Sequence, residues 1–274
     1  MTQALGTALI TGASSGIGAV YADRLAARGY DLILVARDAT RLAANAGALR
    51  TLTGRMVETM PADLTHRAQL AAVEQRLASD AAITLLVNNA GMSLNGTWLT
   101  VDAAEVERLI ALNAIAPTML ARAAAIAFVE RGAGAIVNVG SVLALAPELF
   151  DGAYAATKAH LLNLSLSLSS KLADKGVYTQ AVLPGTTRTE IFERSGKDLN
   201  KIPPEWVMEP EDLVDAAMIG FDRRESVTIP SLADGAHYET ALAARLALAP
   251  KLQNREVGAR YRNDQREKSE WQDR

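Results

Sequence analysis

Residues 5–29, LGTALITGASSGIGAVYADRLAARG, decide the fold. The run 5–11 is short and continuously apolar, the pattern of a buried strand. Gly12-Ala13-Ser14-Ser15-Gly16-Ile17-Gly18 follows and opens into a helical pattern closed by Gly29. A strand that feeds a glycine-rich turn into a helix N-terminus forms a cradle for phosphate. Backbone N–H groups and the positive end of the helix dipole face the anion, and glycines let the ligand approach the backbone. The spacing is Gly-x-x-x-Gly-x-Gly rather than the commoner Gly-x-Gly-x-x-Gly. Glycines in a strand-to-helix turn also serve conformation alone, and this stretch by itself leaves both readings open.

The rest of the chain repeats the alternation. A second strand, DLILVA at 31–36, ends at Arg37-Asp38. In dinucleotide folds an acid at this strand end binds the ribose 2′-hydroxyl, whereas an arginine accommodates a 2′-phosphate. Arg37 therefore favours NADP(H), the other reading being a helix-capping role with Asp38 beside it. A helix at about 39–52 leads to a third strand near 56–60 and to Pro61-Ala62-Asp63-Leu64. Asp63 either caps the helix THRAQLAAVEQRLA or accepts from an adenine amino group. The fourth strand, ITLLVNNAG, breaks into Asn88-Asn89-Ala90-Gly91, which suits a turn as well as a ligand contact. Residues 102–130 read as one long or two joined helices with Asn113 inside an apolar face, either satisfied structurally or holding a water.

AIVNVGS at 135–141 is the fifth strand, with Ser141 at its carboxyl end. Residues 152–173 read as a helix; LLNLSLSLSS alternates with period two, but no turn signal separates it from AATKAH. VYTQAVLPG at 177–185 is the sixth strand. The weakly periodic segment 186–206 that follows suits a mobile lid. A helix at 209–221, a short strand ESVTIP, an amphipathic helix at 231–249 stopped by Pro250 and a polar tail at 251–274 complete the chain. Strands alternating with helices indicate an α/β fold, a Rossmann-like doubly wound parallel sheet of about seven strands with helices on both faces. No repeat or composition break divides it. The expected organisation is a single domain over 1–274, its core at about 5–230 and a C-terminal helix and tail at 231–274.

Composition narrows the function. A net charge of −3 over 274 residues argues against nucleic acid or an anionic membrane as main partner. With no cysteine, disulfide and thiolate chemistry are excluded. The three histidines, His66, His160 and His237, lie far apart, so no metal site is expected. MTQALGTALITG is not a signal peptide, and no uninterrupted apolar window of about 18 residues suggests a membrane span, so the cytoplasm is the expected compartment.

The chemistry is concentrated in SVLALAPELFDGAYAATK, residues 141–158. On one helix Tyr154 and Lys158 sit a turn apart, ~6 Å along the axis. The ammonium would favour the ionised phenol and lower the Tyr154 pKa from its ordinary ~10. Tyr154 then becomes a usable proton donor and acceptor, and Ser141 a second donor to an oxygen held between the two hydroxyls.

Taken together, Thr11-Gly12-x-x-x-Gly16-x-Gly18, Asp63, Asn88-Asn89-Ala90-Gly91, Asn113, Ser141, Tyr154-x-x-x-Lys158 and Pro184-Gly185 with Thr189 resemble the short-chain dehydrogenase/reductase family over about 5–230, in its NADP(H)-preferring branch. The resemblance implies an oxidoreductase that interconverts a carbonyl and an alcohol. Tyr154 would be the acid/base, Ser141 would hold the carbonyl oxygen, and Lys158 would bind the nicotinamide ribose. Asn113 would position a water on a proton path. Gly12, Gly16, Ile17 and Gly18 would line the pyrophosphate turn, and Ser14 and Arg37 would meet the 2′-phosphate. Asp63 and Asn89 would border the adenosine half, and Pro184, Gly185 and Thr189 the nicotinamide. Ser15, Leu64, Ala90, Gly91 and Thr187 complete the coenzyme contacts it implies. Gly140 and Thr187 stand where the family often has a second serine and an apolar residue. Family members commonly pair as homodimers or homotetramers through the helices at 102–130 and 152–173.

Met92, Leu94, Val142, Leu143, Leu149, Phe150 and Trp206 are the candidate substrate wall; their apolar character suggests a hydrophobic ketone or aldehyde. Two rivals are set against this. A non-catalytic dinucleotide sensor would lack Tyr154 or Lys158, and a doubly wound methyltransferase prefers an acid where Arg37 stands.

Overall fold

The computed structural model describes residues 5–149, 152–196 and 198–261. Its first unit, Met1–Ser231, is built on seven parallel strands. These are β1 Thr7–Thr11, β2 Asp31–Ala36, β3 Val57–Pro61, β4 Ile83–Asn88, β5 Gly134–Val139, β6 Val177–Val182 and β7 Val227–Thr228, in the order β3-β2-β1-β4-β5-β6-β7. The order reverses between β1 and β4, which opens a crevice at the carboxyl ends of the strands.

The continuous apolar runs have a simple cause. Ala8 and Ile10 of β1 pack with Leu32 and Leu34 of β2 in one core, while Leu9 and Ile33 belong to a second. Both faces of the sheet are covered, so both sets of alternating side chains must be apolar. The first face carries α1 Gly16–Arg28, α2 Ala39–Thr53 and α8 Pro210–Asp222. The second carries α3 Arg67–Ser79, α5 Ala116–Arg131 and α6 Gly152–Leu172. Residues 161–172 are helical despite their period-two pattern. Leu161 and Leu162 are buried, and Leu164, Leu168 and Leu172 pack at helical spacing against the second core.

Two differences from expectation concern the ends of strands. The fifth strand stops at Val139, leaving Ser141 two residues beyond it in extended backbone (φ −167°, ψ 153°). The sixth stops at Val182, so Pro184 and Gly185 belong to a loop. The segment 186–206 holds a short helix, α7 Glu190–Arg194, and two 3-10 turns, Leu199–Lys201 and Pro204–Trp206. The long helical run at 103–131 is interrupted: α4 Ala103–Ile110 passes through a π-helical turn, Ala111–Ile115, into α5. Its length and hydropathy would allow a membrane crossing, but 56% of its most apolar window is buried. Ala121, Ala124 and Phe128 pack there with Leu70, Val73 and Leu77, the arrangement of a core helix.

The second unit, Leu232–Arg274, contains α9 Ala236–Leu248, which begins later than the helix expected from 231, and 3-10 turns at Ala249–Lys251 and Ala259–Tyr261.

Candidate active site

The glycine turn is fastened to the sheet at the switch point. The Thr11 hydroxyl accepts from the amides of Asn89 (2.9 Å) and Ala90 (3.0 Å). The Asn89 side-chain amide donates to the Thr11 carbonyl at 3.0 Å and lies 3.4 Å from that of Gly12. Asn89 thus braces the turn between β1 and β4 as well as lining the cleft. Gly12 and Gly16 have left-handed backbones (φ +68° and +54°), which an L side chain adopts with strain. Ser15 caps α1 through its backbone geometry, its side chain makes no capping hydrogen bond, and no acid occupies the first turn. The leading N–H groups of this helix face the cleft beside Gly12, Ser14, Ser15, Gly16 and Ile17, which suits a diphosphate.

Gly18 is not in the cleft wall; it lets the helix meet the turn. A Cβ there would lie 2.3 Å from the Gly12 carbonyl oxygen and 2.4 Å from Asn89 Nδ2. Gly18→Ala is therefore expected to cost about 1–3 kcal/mol of stability by overpacking and to weaken dinucleotide binding. A urea melt and a dinucleotide titration check this; unchanged values for both would contradict the packing argument.

Beyond the end of β2, Arg37 lines the cleft and, among the described residues, forms no ion pair. Asp38, its neighbour, accepts from the Arg41 amide at 2.9 Å and so caps α2. Asp63 is not among the lining residues, whereas Ala62 and Leu64 are. Its Oδ1 accepts from the amide (2.9 Å) and hydroxyl (2.7 Å) of Thr65, in a turn ahead of α3 rather than as that helix's N-cap. Burial acts to raise its pKa, but the Thr65 hydrogen bonds and the Arg37 and Arg108 charges hold it below the ordinary value.

Ser141, Tyr154 and Lys158 meet on the cleft floor with Ala90, Gly91, Pro184, Gly185, Thr187 and Thr189 nearby in its wall. Tyr154 stands on the first turn of α6 and its hydroxyl is hydrogen-bonded to Ser141. The Ser141 Oγ also accepts from the Leu143 amide at 3.2 Å. Lys158 is 5% exposed, donates to the Val139 carbonyl at 3.1 Å, and lies 5.6 Å from the Tyr154 ring centroid. A buried chain holds α6 in this register: Asn88 donates to Asn138 (2.9 Å), Asn138 to Ser165 (2.9 Å), and Ser165 to the Leu161 carbonyl (2.7 Å).

The electrostatics correct one expectation. Tyr154 is less acidic than a free tyrosine: desolvation pushes its pKa up to about 12, and the Ser141 hydrogen bond offsets this only in part. Burial acts equally on Lys158, whose pKa falls to about 8. Removing water from the charged form sets the direction at both groups.

Asn113 is buried in the π-helical turn and is not among the lining residues. Its Oδ1 accepts from the Met92 amide (2.9 Å), and its Nδ2 donates to the Met92 carbonyl (2.8 Å) and to Thr157 (3.3 Å). It clamps the loop after β4 to the helix that carries Tyr154.

Of the apolar wall, Met92, Val142, Leu143, Leu149 and Trp206 line the cleft. Leu94 is 2% exposed and does not; Ser93 and Asn95, on either side of it, do. Phe150 lies outside the described residues. Sequence reasoning missed the part of segment 186–206 that lines the cleft, including Ile191, Phe192 and Ile202, and the cleft wall at Arg108 and Leu112. The weak periodicity of 186–206 carries no signal of which side chains turn inward. The whole cleft measures about 1230 Å³, beyond the ~300–1,000 Å³ of a drug-sized site. It has room for a dinucleotide and a second molecule.

A family model described as short chain dehydrogenase matches residues 6–200. A short-chain dehydrogenase from Sphingobium yanoikuyae, solved in complex with NADPH, is 53% identical with a TM-score of 0.92, covering 94% of this chain and 100% of that one. The bulky-bulky ketone specific alcohol dehydrogenase from Comamonas testosteroni, in its orthorhombic crystal form, is 46% identical with a TM-score of 0.87, covering 94% of this chain and 99% of that one. The ketoacyl reductase HetN of a Nostoc species is 34% identical over 181 residues, 65% of this chain, and the match spans 62% of that protein's length.

Proposed function

Since the chain belongs to the short-chain dehydrogenase/reductase family, we propose that it is an NADP(H)-dependent oxidoreductase that reduces ketones carrying two large apolar groups. The observation that carries this reading is the meeting of Ser141, Tyr154 and Lys158 beside the glycine turn in one cleft. When bound, the coenzyme supplies the hydride. Tyr154, neutral at physiological pH because its pKa is about 12, gives its proton to the substrate carbonyl oxygen. Ser141 donates a hydrogen bond to the same oxygen, and the charge that develops there is stabilised by two donors set in place beforehand. Lys158, the buried cation beneath the ring, stabilises the phenolate left behind and would hold the nicotinamide ribose.

Arg37 supports the 2′-phosphate, since it faces the cleft while the acid next to it is engaged in capping α2. The NADPH complex of the Sphingobium yanoikuyae relative points the same way. The substrate end is apolar on two sides, with Leu143 and Leu149 from the loop after β5 and Phe192, Ile202 and Trp206 from the segment after β6. Two such walls suit a ketone bulky on both sides of its carbonyl, the class printed for the Comamonas testosteroni relative.

The test follows NADPH absorbance with diaryl and aryl-alkyl ketones, methyl ketones and ketoses. Turnover is expected with the first two groups, and NADH should be a much poorer donor. Absence of turnover with every ketone, or turnover confined to ketoses, overturns the reading.

A further inference from the structure

The first turn of α2 carries a second arginine, Arg41, which is not itself among the residues lining the cleft but is paired with two that are. Nη1 of Arg41 donates to both carboxylate oxygens of Glu190, at 2.8 and 2.9 Å, across 149 residues of sequence. Its Nε lies 3.5 Å from Asp38 Oδ2. Asp38 and Glu190 both line the cleft, beside Arg37, Ser14 and Thr189. The Arg41 head group therefore lies between two cleft-lining carboxylates, next to the cation that lines the cleft beyond β2.

Two features make this pair more than a surface brace. The side chains are 49% and 36% exposed, so the bridge is of the weak, solvent-screened kind and yields readily to a better ligand. A phosphate dianion is such a ligand, since its oxygens match the guanidinium fork and carry more charge than a carboxylate. Glu190 already holds Arg41 through a two-oxygen contact. A dianion entering beside the arginines meets Glu190 as a like charge already holding one of the cations.

We infer that Arg41 is a second cation for the coenzyme's 2′-phosphate and that Glu190 competes with that phosphate for it, so the two residues together set the preference for NADPH over NADH. This rests on the NADP(H) reading above. Removing the competitor strengthens binding of the phosphorylated coenzyme alone, and removing the cation weakens it alone. Both side chains are partly exposed, 49% and 36%, and the fold of each variant is checked by its urea melt.

The test is equilibrium titration of NADPH and NADH, followed by nicotinamide fluorescence, on wild type and on Arg41→Gln, Arg41→Lys, Glu190→Gln and Arg37→Asp. Arg41→Gln is expected to weaken NADPH by about tenfold, the scale of one charge-assisted contact, with NADH changed less than about twofold. Arg41→Lys should recover part of the loss. Glu190→Gln should tighten NADPH severalfold and leave NADH alone. Equal effects of Arg41→Gln on both coenzymes, or weaker NADPH binding in Glu190→Gln, overturn the inference. If this happens while wild type prefers NADPH and Arg37→Asp abolishes that preference, only the inference falls. If wild type binds the two coenzymes equally, the NADP(H) reading falls and takes the inference with it.

Discussion

Tyr154→Phe is expected to lower kcat for ketone reduction by about 10²–10⁴-fold, with the Kd for NADPH changed less than about twofold. Phenylalanine keeps the ring, its volume and its face toward the Lys158 ammonium 5.6 Å away, so the substitution removes one hydroxyl and little else. Ser141 still donates to the carbonyl oxygen, and the glycine turn, Arg37 and Lys158 still bind the coenzyme. Among the described residues of the cleft floor, Ser141 offers an aliphatic hydroxyl, a hydrogen-bond donor too weakly acidic to give up its proton, and the Lys158 ammonium donates to Val139 beneath the ring. Single-turnover reduction with saturating coenzyme checks this, because it separates the chemical step from coenzyme release. A variant reducing ketone within about threefold of wild type would remove Tyr154 from the reaction.

Lys158→Met should show a second large effect of opposite sign in two assays, abolishing turnover while stabilising the fold at pH 7. The lysine is 5% exposed, and its pKa is pushed down from 10.5 to about 8 because burial penalises the charged form. Between those values the unfolded chain holds a proton that the folded chain has lost, so Lys158 makes stability rise with pH across that window. Below it the full penalty is present, about 3 kcal/mol. Methionine removes the charge at similar volume, and the loss of the hydrogen bond to Val139 returns about 1 kcal/mol. A net gain of about 2 kcal/mol at pH 7, fading toward pH 10, is expected in urea unfolding. Destabilisation at pH 7 would show that the ammonium is well solvated where it sits. The enzyme keeps a costly charge beneath the reactive ring, which is how functional groups commonly trade against stability.

Much of this was legible in the chain because its signals are local. Residues 5–18 hold strand, turn and helix start in one contiguous run, and the Tyr154/Lys158 spacing needs only a helix to place both groups together. The parallel sheet follows from runs such as LILVA at 32–36, apolar at every position because both faces are covered. What was not legible depends on neighbours distant in sequence. The direction of the Tyr154 pKa is set by desolvation, which the identity of a residue four positions away does not report. The apolar character of Leu94 suggests cleft wall, but the loop after β4 presents Ser93 and Asn95 there and buries the leucine. Asp63 is drawn into a turn by Thr65, and Arg41 meets Glu190 from the far side of the sheet order. No periodicity encodes such pairings.

The π-helical turn at Ala111–Ile115 puts the two halves of its helix out of phase, since one residue added to a turn rotates everything beyond it by ~100°. Ahead of the break, Glu105 and Arg108 are presented to the cleft, and Leu112 joins them from the break itself. Behind it, Ala121 and Ala124 keep their face against α3. Cleft wall and core are thereby uncoupled along a single helical run, so substitutions at 105, 108 and 112 can re-shape the mouth for a different ligand without disturbing the alanine seam that holds the sheet.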